Sequence, residues 1–317
     1  MDYVYIVVGL LLLVFAGDAL VRGAVALSLK LGVSALVVSL TIVAFGTSAP
    51  ELLVGVKATL NGSSDLVYGN VVGSNIANVF LVLGVPALIT PIVMSPPGSR
   101  QNFLTMLAVT VLFIAVCGMG GMTAWVGVAF LVLLIAILYS TYQGSRNKPD
   151  ADLPDEVAEA PVDAPMWKVL AILGAGLIFL PIGAGLLIEG AQNVAVAWGV
   201  PEAIIGLTLV AIGTSLPELA TTVMAAVRRQ ADVALGGVIG SNTFNILAVM
   251  GASSFFGSLP TPAGFMEMDL WIMLGATLAM APFIFLKRDM GRLAGVIFLG
   301  VYLAYLVFAV TPLGVHA

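Results

Sequence analysis

GTSAPELLVGVKATLNGSSDLVYGNVVGSNIANVFLVLG at residues 46–84 lies over GTSLPELATTVMAAVRRQADVALGGVIGSNTFNILAVMG at residues 213–251 without a gap, at a constant offset of 167. Of the 39 positions, 17 are identical, and the matches are not confined to the Leu, Val and Ala that unrelated apolar helices share by chance. They include Gly46/Gly213, Thr47/Thr214, Ser48/Ser215, Pro50/Pro217, Glu51/Glu218, Asp65/Asp232, Ser74/Ser241, Asn75/Asn242 and Asn78/Asn245. Polar and helix-breaking residues do not recur in register unless the segment itself has been duplicated.

The surroundings of the duplicated stretch define its solvent. The 317 residues are 60% hydrophobic and 9% charged, with a mean hydropathy of +1.12. Soluble domains run near ~45–50% apolar and ~25% charged. Apolar runs repeatedly exceed the ~18 residues that indicate a membrane helix. Ten spans follow, near 3–27, 34–60, 66–90, 101–118, 122–142, 167–192, 201–227, 233–257, 267–286 and 293–311. The stretch Gly118–Gly121 reads either as a tight loop between two of them or as a kink. The alternating short strands of a membrane barrel are missing from the pattern.

Basic residues orient the spans. With the N-terminus outside, Arg22, Lys30, Arg100, Arg146, Lys148, Lys168, Arg228, Arg229, Lys287, Arg288 and Arg292 fall at inner positions and only Lys57 at an outer one. Positive charge concentrates on the cytoplasmic side, so both termini are expected outside. Met1 to Tyr5 carry an acid and no basic region, which reads against a secretory signal peptide. Residues 143–165 are polar and proline-rich, with six acids against two bases, and read as a cytoplasmic linker. The organisation expected is a first five-helix repeat at 1–142, the linker at 143–165 and a second repeat at 166–317. Five is odd, so the second unit starts on the opposite side and the repeats are inverted. The fold class is an all-α polytopic membrane protein with ten transmembrane helices, of which helices 2 and 7 are broken. Inverted repeats with Gly/Pro-interrupted helices at matching positions point to a secondary transporter with a site at the midplane.

Several chemistries are disfavoured. A net charge of −5 without a basic cluster argues against nucleic acid. One cysteine, Cys117, and one histidine, His316, leave no thiolate or imidazole cluster for zinc, copper or iron. No soluble catalytic domain, catalytic residue, cofactor or obligate protein partner is expected, and the chain reads as a non-enzyme whose surroundings are the lipid bilayer.

Glu51 and Glu218 lie deep within apolar spans, where an ionisable group is expensive unless it faces a cavity or a partner. No lysine, arginine or histidine sits at comparable depth in either motif. The compensating charge is then a proton or a bound cation. Pro50 and Pro217 lack an N–H and force a kink or break, so carbonyls around Ala44–Gly46 and Ala211–Gly213 are expected to lose helical partners and turn inward. Thr47, Ser48 and Glu51, like Thr214, Ser215 and Glu218, fall near one face. Ser74 with Asn78, and Ser241 with Asn245, are spaced i,i+4 on one face. Hydroxyls in membrane helices also bond locally. Asn75 and Asn242 read as packing residues, Asp65 and Asp232 as acids complementing helix N-termini, and Asp18 with Arg22 as a local i,i+4 ion pair. Gly69/Gly73 and Gly236/Gly240 give G-x-x-x-G spacings for close packing. An all-oxygen site of this kind suits calcium, which takes ~6–8 oxygen ligands, and sodium.

At these residues the sequence resembles the cation/calcium exchanger superfamily, most closely its small bacterial inner-membrane sodium–calcium exchangers. The signatures read GTSAPE at 46–51 with GSNIAN at 73–78, and GTSLPE at 213–218 with GSNTFN at 240–245. The resemblance implies a ten-helix antiporter working by alternating access, with several sodium ions entering to drive one calcium ion out. It places calcium and sodium ligands at Glu51 and Glu218, at Thr47, Ser48, Thr214 and Ser215, at the backbone of Ala44 and Ala211, and at Ser74, Asn78, Ser241 and Asn245. It also implies that the long first and sixth helices slide across the ligand-bearing core. Potassium-dependent members and some archaeal sodium–calcium exchangers have Asp where this chain has Asn245, and potassium-independent animal exchangers have Asn. A calcium/proton antiporter using the same glutamates and a passive cation channel fit the same ligand set.

Overall fold

The structure is a computed structural model and describes residues 1–146, 164–198 and 213–309. Long Leu/Val/Ala runs have little choice but helix in hydrocarbon, because each backbone N–H and C=O must be paired within its own segment. The helices are α1 (Asp2–Leu31), α2 (Ala35–Thr47), α3 (Ala49–Leu60), α4 (Ser64–Ile89), α5 (Ser99–Gly118), α6 (Ala124–Arg146), α7 (Met166–Ala197), α8 (Leu216–Val227), α9 (Ala231–Ser253), α10 (Phe265–Phe285) and α11 (Arg292–Ala309). Among the described residues eight are long and apolar enough to cross a membrane, and α2 with α3 forms a ninth such segment bent by 44°. The expected span 201–227 is represented by α8, its first part lying outside the described residues.

The Gly118–Gly121 stretch is a loop. It leads into a two-residue strand β1 (Gly121–Met122), which pairs antiparallel with β2 (Leu259–Pro260), a contact the sequence did not suggest. Such cross-links sort the loops into two ends. At one end, β1 meets β2 and Asn193 Nδ2 donates to Asp2 Oδ1 at 3.0 Å. At the other, Ile92 and Met290 exchange backbone hydrogen bonds of 3.0 and 2.8 Å, and the Ser34 N–H donates to Ser145 Oγ at 2.9 Å. This is the alternation that consecutive crossings require.

α9 and α4 are the most enclosed of the long helices, and both carry the GSN motif. Around them, α1 and α7 form an outer antiparallel pair. Small residues recur every seventh position on each, at Gly9, Ala16 and Gly23 and at Gly176, Gly183 and Gly190. The backbones approach so closely that a Cβ added at Gly9 would lie 2.7 Å from the Leu187 nitrogen. One added at Gly183 would lie 3.0 Å from the Gly9 carbonyl oxygen, and one at Gly176 2.9 Å from that of Ala16. Both small-residue triads and their contacts are related by the 167-residue offset. The seam therefore extends the duplication beyond the motifs into the first helix of each half.

Candidate functional site

The break in the second span has a local cause. Pro50 has no N–H to donate to the Gly46 carbonyl, and its fixed φ suits the first turn of a helix. The chain accordingly ends α2 at Thr47, turns at Ser48 (φ −83°, ψ 4°) and restarts with Ala49 and Pro50. Ser215, the repeat-mate of Ser48, has nearly the same geometry (φ −87°, ψ 2°), and α8 restarts with Leu216 and Pro217. Glu51 and Glu218 thus both sit in the first turn of a half-helix. At Gly46 and Gly213 an added Cβ would run into Leu177 and Ile188 of α7, so one outer helix lies against both breaks.

The break differs in detail from the expectation for Ala44. Its carbonyl is not released: it accepts the Ser48 N–H at 3.0 Å and the Thr47 hydroxyl at 3.4 Å. The proline acts one turn later, on the Gly46 carbonyl, since a residue at i removes the bond to i−4. Ala211 lies outside the described residues. Thr214 is half-buried at the edge of the described segment.

Among the described residues, Glu51 (0% exposed) and Glu218 (3%) are the only buried charged side chains. They act on one another electrostatically across the site. Glu218 is tied to the opposite half: Ser241 Oγ donates to its Oε1 at 3.4 Å and lies 3.3 Å from Thr47 Oγ1. Ser48 is also close to Glu218 but makes no hydrogen bond of good geometry. Glu51 is held through its main chain instead, Asn70 Nδ2 donating to the Glu51 carbonyl at 3.0 Å.

On α4 and α9 the motif amides interlock. Asn75 and Asn242 each donate to the other's backbone carbonyl at 3.3 Å. Asn78 Nδ2 donates to Asn242 Oδ1 at 3.0 Å, and Asn245 Nδ2 to Asn75 Oδ1 at 3.1 Å and to Ser74 Oγ at 2.9 Å. Asn245 opens a π-helical turn, Asn245–Val249, which re-aims this face of α9. Gly236 and Gly240 let α9 lie on α2, where an added Cβ would come 3.0 Å from the Leu36 carbonyl and 2.9 Å from Leu40 Cα. Gly69 and Gly73 meet no such described backbone.

The balance of this network is uneven. Seven buried oxygens in it lack any hydrogen-bond partner: both carboxylate oxygens of Glu51, Glu218 Oε2, the hydroxyls of Ser48 and Ser215, and Oδ1 of Asn78 and Asn245. Buried polar atoms are nearly always paired. Here the orphans are lone-pair donors on residues of the duplicated motifs, and no buried lysine or arginine among the described residues faces them. The chemistry that satisfies such a set is a hard cation held by oxygen alone. Among the described residues no three His, Cys, Asp or Glu side chains cluster, so a transition-metal centre has no scaffold there.

Two features escaped the sequence. Asp18 was expected to pair with Arg22. That ion pair forms, with Arg22 Nη1 3.8 Å from Asp18 Oδ2, and the sequence missed a second partner: Arg228 Nε at the end of α8 donates directly to Asp18 Oδ1. The partners are 210 positions apart and neither is duplicated, so periodicity could not link them. Asn70 likewise has glycine, Gly237, as its repeat-mate.

Comparison with known proteins agrees with this geometry. Residues 1–143 and 168–311 match the sodium/calcium exchanger protein family. The putative antiporter CaxA of Alkalimonas amylolytica is 37% identical over 309 residues, covering 95% of this chain and 96% of its own. The sodium/calcium exchanger MaX1 of Methanosarcina acetivorans is 32% identical over 96% of this chain and 97% of its own. A solved structure of the sodium–calcium exchanger NCX_Mj, soaked with 10 mM Na+ and no Ca2+, superposes with a TM-score of 0.82 at 32% identity, over 96% of this chain and 98% of that one. The chain is a multi-pass membrane protein that belongs to the sodium/calcium exchanger protein family.

Proposed function

We propose that this protein is a secondary antiporter that exchanges sodium for calcium by alternating access. In this reading it has ten spans arranged as two inverted five-helix repeats, with both termini outside and the 143–165 linker in the cytoplasm. The observation that carries the reading is the set of seven unpartnered buried oxygens, three of them on the two buried carboxylates, with no buried cationic side chain among the described residues. Burying an ionised carboxylate is costly unless it is paired, and two that face each other add repulsion. A calcium ion, or several sodium ions, removes both costs. An ion-free site is penalised, so passage between the two access states is favoured only when the site is loaded. That is the physical requirement for exchange in place of leak.

Sodium as the coupling ion is supported by the relatives MaX1 and NCX_Mj, which carry the name sodium/calcium exchanger. The ligands themselves are hard oxygens that accept either ion. Reconstituted vesicles with sodium, potassium and proton gradients imposed one at a time test the reading. Calcium uptake is expected to follow the sodium gradient and to disappear in Glu51→Gln and in Glu218→Gln. Uptake driven by the pH gradient alone would make the protein a calcium/proton antiporter, and flux without any counter-ion would make it a channel. Wild-type exchange in either glutamine variant would remove the site assignment.

A further inference from the structure

The amide groups of Asn78 and Asn245 matter to a cation only through which end they present. We infer that Asn75 and Asn242 are positioning residues that fix the polarity of these two amides, so that both direct oxygen to the ion and neither directs its NH2. The inference deepens the proposed exchange site and rests on that reading.

The geometry allows the polarity to be worked out from fixed points. A backbone carbonyl can only accept. Asn75 faces the Asn242 carbonyl at 3.3 Å and the Met273 sulfur at 3.8 Å, both acceptors, so its NH2 must occupy that end. Its Oδ1 is thereby turned to Asn245, where only a donor fits, and Asn245 Nδ2 supplies it at 3.1 Å. Ser74 repeats the demand: its hydroxyl donates to the Val71 carbonyl at 3.2 Å and so offers lone pairs to Asn245 Nδ2 at 2.9 Å. With its NH2 spoken for, Asn245 has its Oδ1 on the remaining side. The repeat-mates run the same relay. Asn242 Nδ2 is committed to the Asn75 carbonyl at 3.3 Å, Asn242 Oδ1 receives Asn78 Nδ2 at 3.0 Å, and Asn78 Oδ1 is left over. Both leftover oxygens are buried without a partner. An amide turned the other way would place two acceptors against each other at one end and a donor against the cation at the other. The motif thus needs two asparagines three residues apart, the first of each repeat setting the second of the other repeat.

The test uses equilibrium binding of 45Ca2+ to the purified full-length protein. Asn242→Leu removes the acceptor that holds Asn78 Nδ2, and calcium affinity is expected to fall about tenfold, the scale of leaving a buried polar group wrongly satisfied. A carboxylate has no wrong end, so in an Asn78→Asp background the same Asn242→Leu change is expected to cost less than about twofold. Equal losses in the two backgrounds would mean that Asn242 contributes only packing and would overturn the inference. If Asn242→Leu aggregates on size exclusion, Asn75→Leu with and without Asn245→Asp carries the same test on the other relay, with the same overturning result. Failure of the parent reading looks different, because calcium would then still bind in Glu51→Gln and Glu218→Gln.

Discussion

Glu51 and Glu218 occupy equivalent positions in the duplicated motif, yet different atoms anchor them. Glu218 is held by its carboxylate, which accepts from Ser241, itself in contact with Thr47 of the other half. Glu51 keeps both carboxylate oxygens unpartnered and is held by its backbone carbonyl through Asn70. The duplication has preserved the oxygens that point into the site and let the residues behind them drift. In a protein proposed to alternate between two access states built from inverted repeats, such drift would let the two states differ in energy, where perfect symmetry would make them equal. Three substitutions probe how far the halves are equivalent.

The seam between α1 and α7 repeats its close backbone approaches at the 167-residue offset, and the largest effect is expected there. Gly183 approaches the Gly9 carbonyl so closely that any side chain must push the helices apart. Overpacking typically costs about 1–3 kcal/mol, and here the obstacle is backbone, which cannot swing aside. Gly183→Leu is expected to lower sodium-driven calcium exchange by at least about tenfold, the rate equivalent of about 1.4 kcal/mol. Gly185→Leu, two residues away with nothing described within 4 Å of its added Cβ, should exchange normally. Equal behaviour of the two variants in the vesicle assay would remove the seam from the mechanism.

The seam also shows what a sequence discloses and what it withholds. The 101–118 and 293–311 spans are found at Ser99–Gly118 and Arg292–Ala309 because uninterrupted apolar runs leave few alternatives to helix. Glu51, Glu218, Ser74, Asn78, Ser241 and Asn245 stood out because polar residues recurring at a fixed offset are improbable by chance. The position of the break was less legible. Proline predicts that a hydrogen bond is lost, but whether the chain bends before or after it depends on ψ at Ser48, which leaves the Ala44 carbonyl bonded and frees that of Gly46 from its usual donor. Least legible were single, unduplicated contacts between distant segments. An i,i+4 rule pairs Asp18 with Arg22 correctly as neighbours and has no means of knowing that Arg228 arrives from another helix.

That unduplicated contact gives the second prediction. Asp18 on α1 meets Arg228 at the end of α8, whereas their repeat-mates, Gly185 and Asn61, are exposed and have no such chemistry. The contact therefore favours one arrangement of α1 against the core and has no counterpart in the opposite one. Both side chains are about one-fifth exposed, which limits the pair to about 1 kcal/mol, or roughly fivefold in a two-state ratio. Asp18→Asn removes the charge while leaving Arg228 its other contacts. Apparent calcium affinities measured in right-side-out and inside-out vesicles are expected to shift in opposite directions, by up to about fivefold in their ratio. A parallel shift on both sides would show a change in the site itself.

The smallest effect is expected behind Glu51. Asn70 Nδ2 fixes the Glu51 carbonyl at 3.0 Å, across from α4 to α3, and Asn70 itself is only half-buried. Water can reach the amide and take over part of its role, so the loss in Asn70→Ala lies near the low end of the 0.5–1.5 kcal/mol range for a neutral hydrogen bond, about two- to threefold in calcium affinity. The effect should be carried by Glu51 and by nothing else. In a Glu51→Asp background, where the shorter side chain has already displaced the carboxylate, Asn70→Ala should change calcium binding by less than about 1.5-fold, the non-additivity expected of coupled neighbours. In a Ser241→Ala background, where the hydroxyl supporting Glu218 has been removed, it should keep its full two- to threefold cost. The opposite ordering would mean that the two glutamates share one scaffold after all, and that the difference between their anchors is local geometry without consequence for how each half holds its ion.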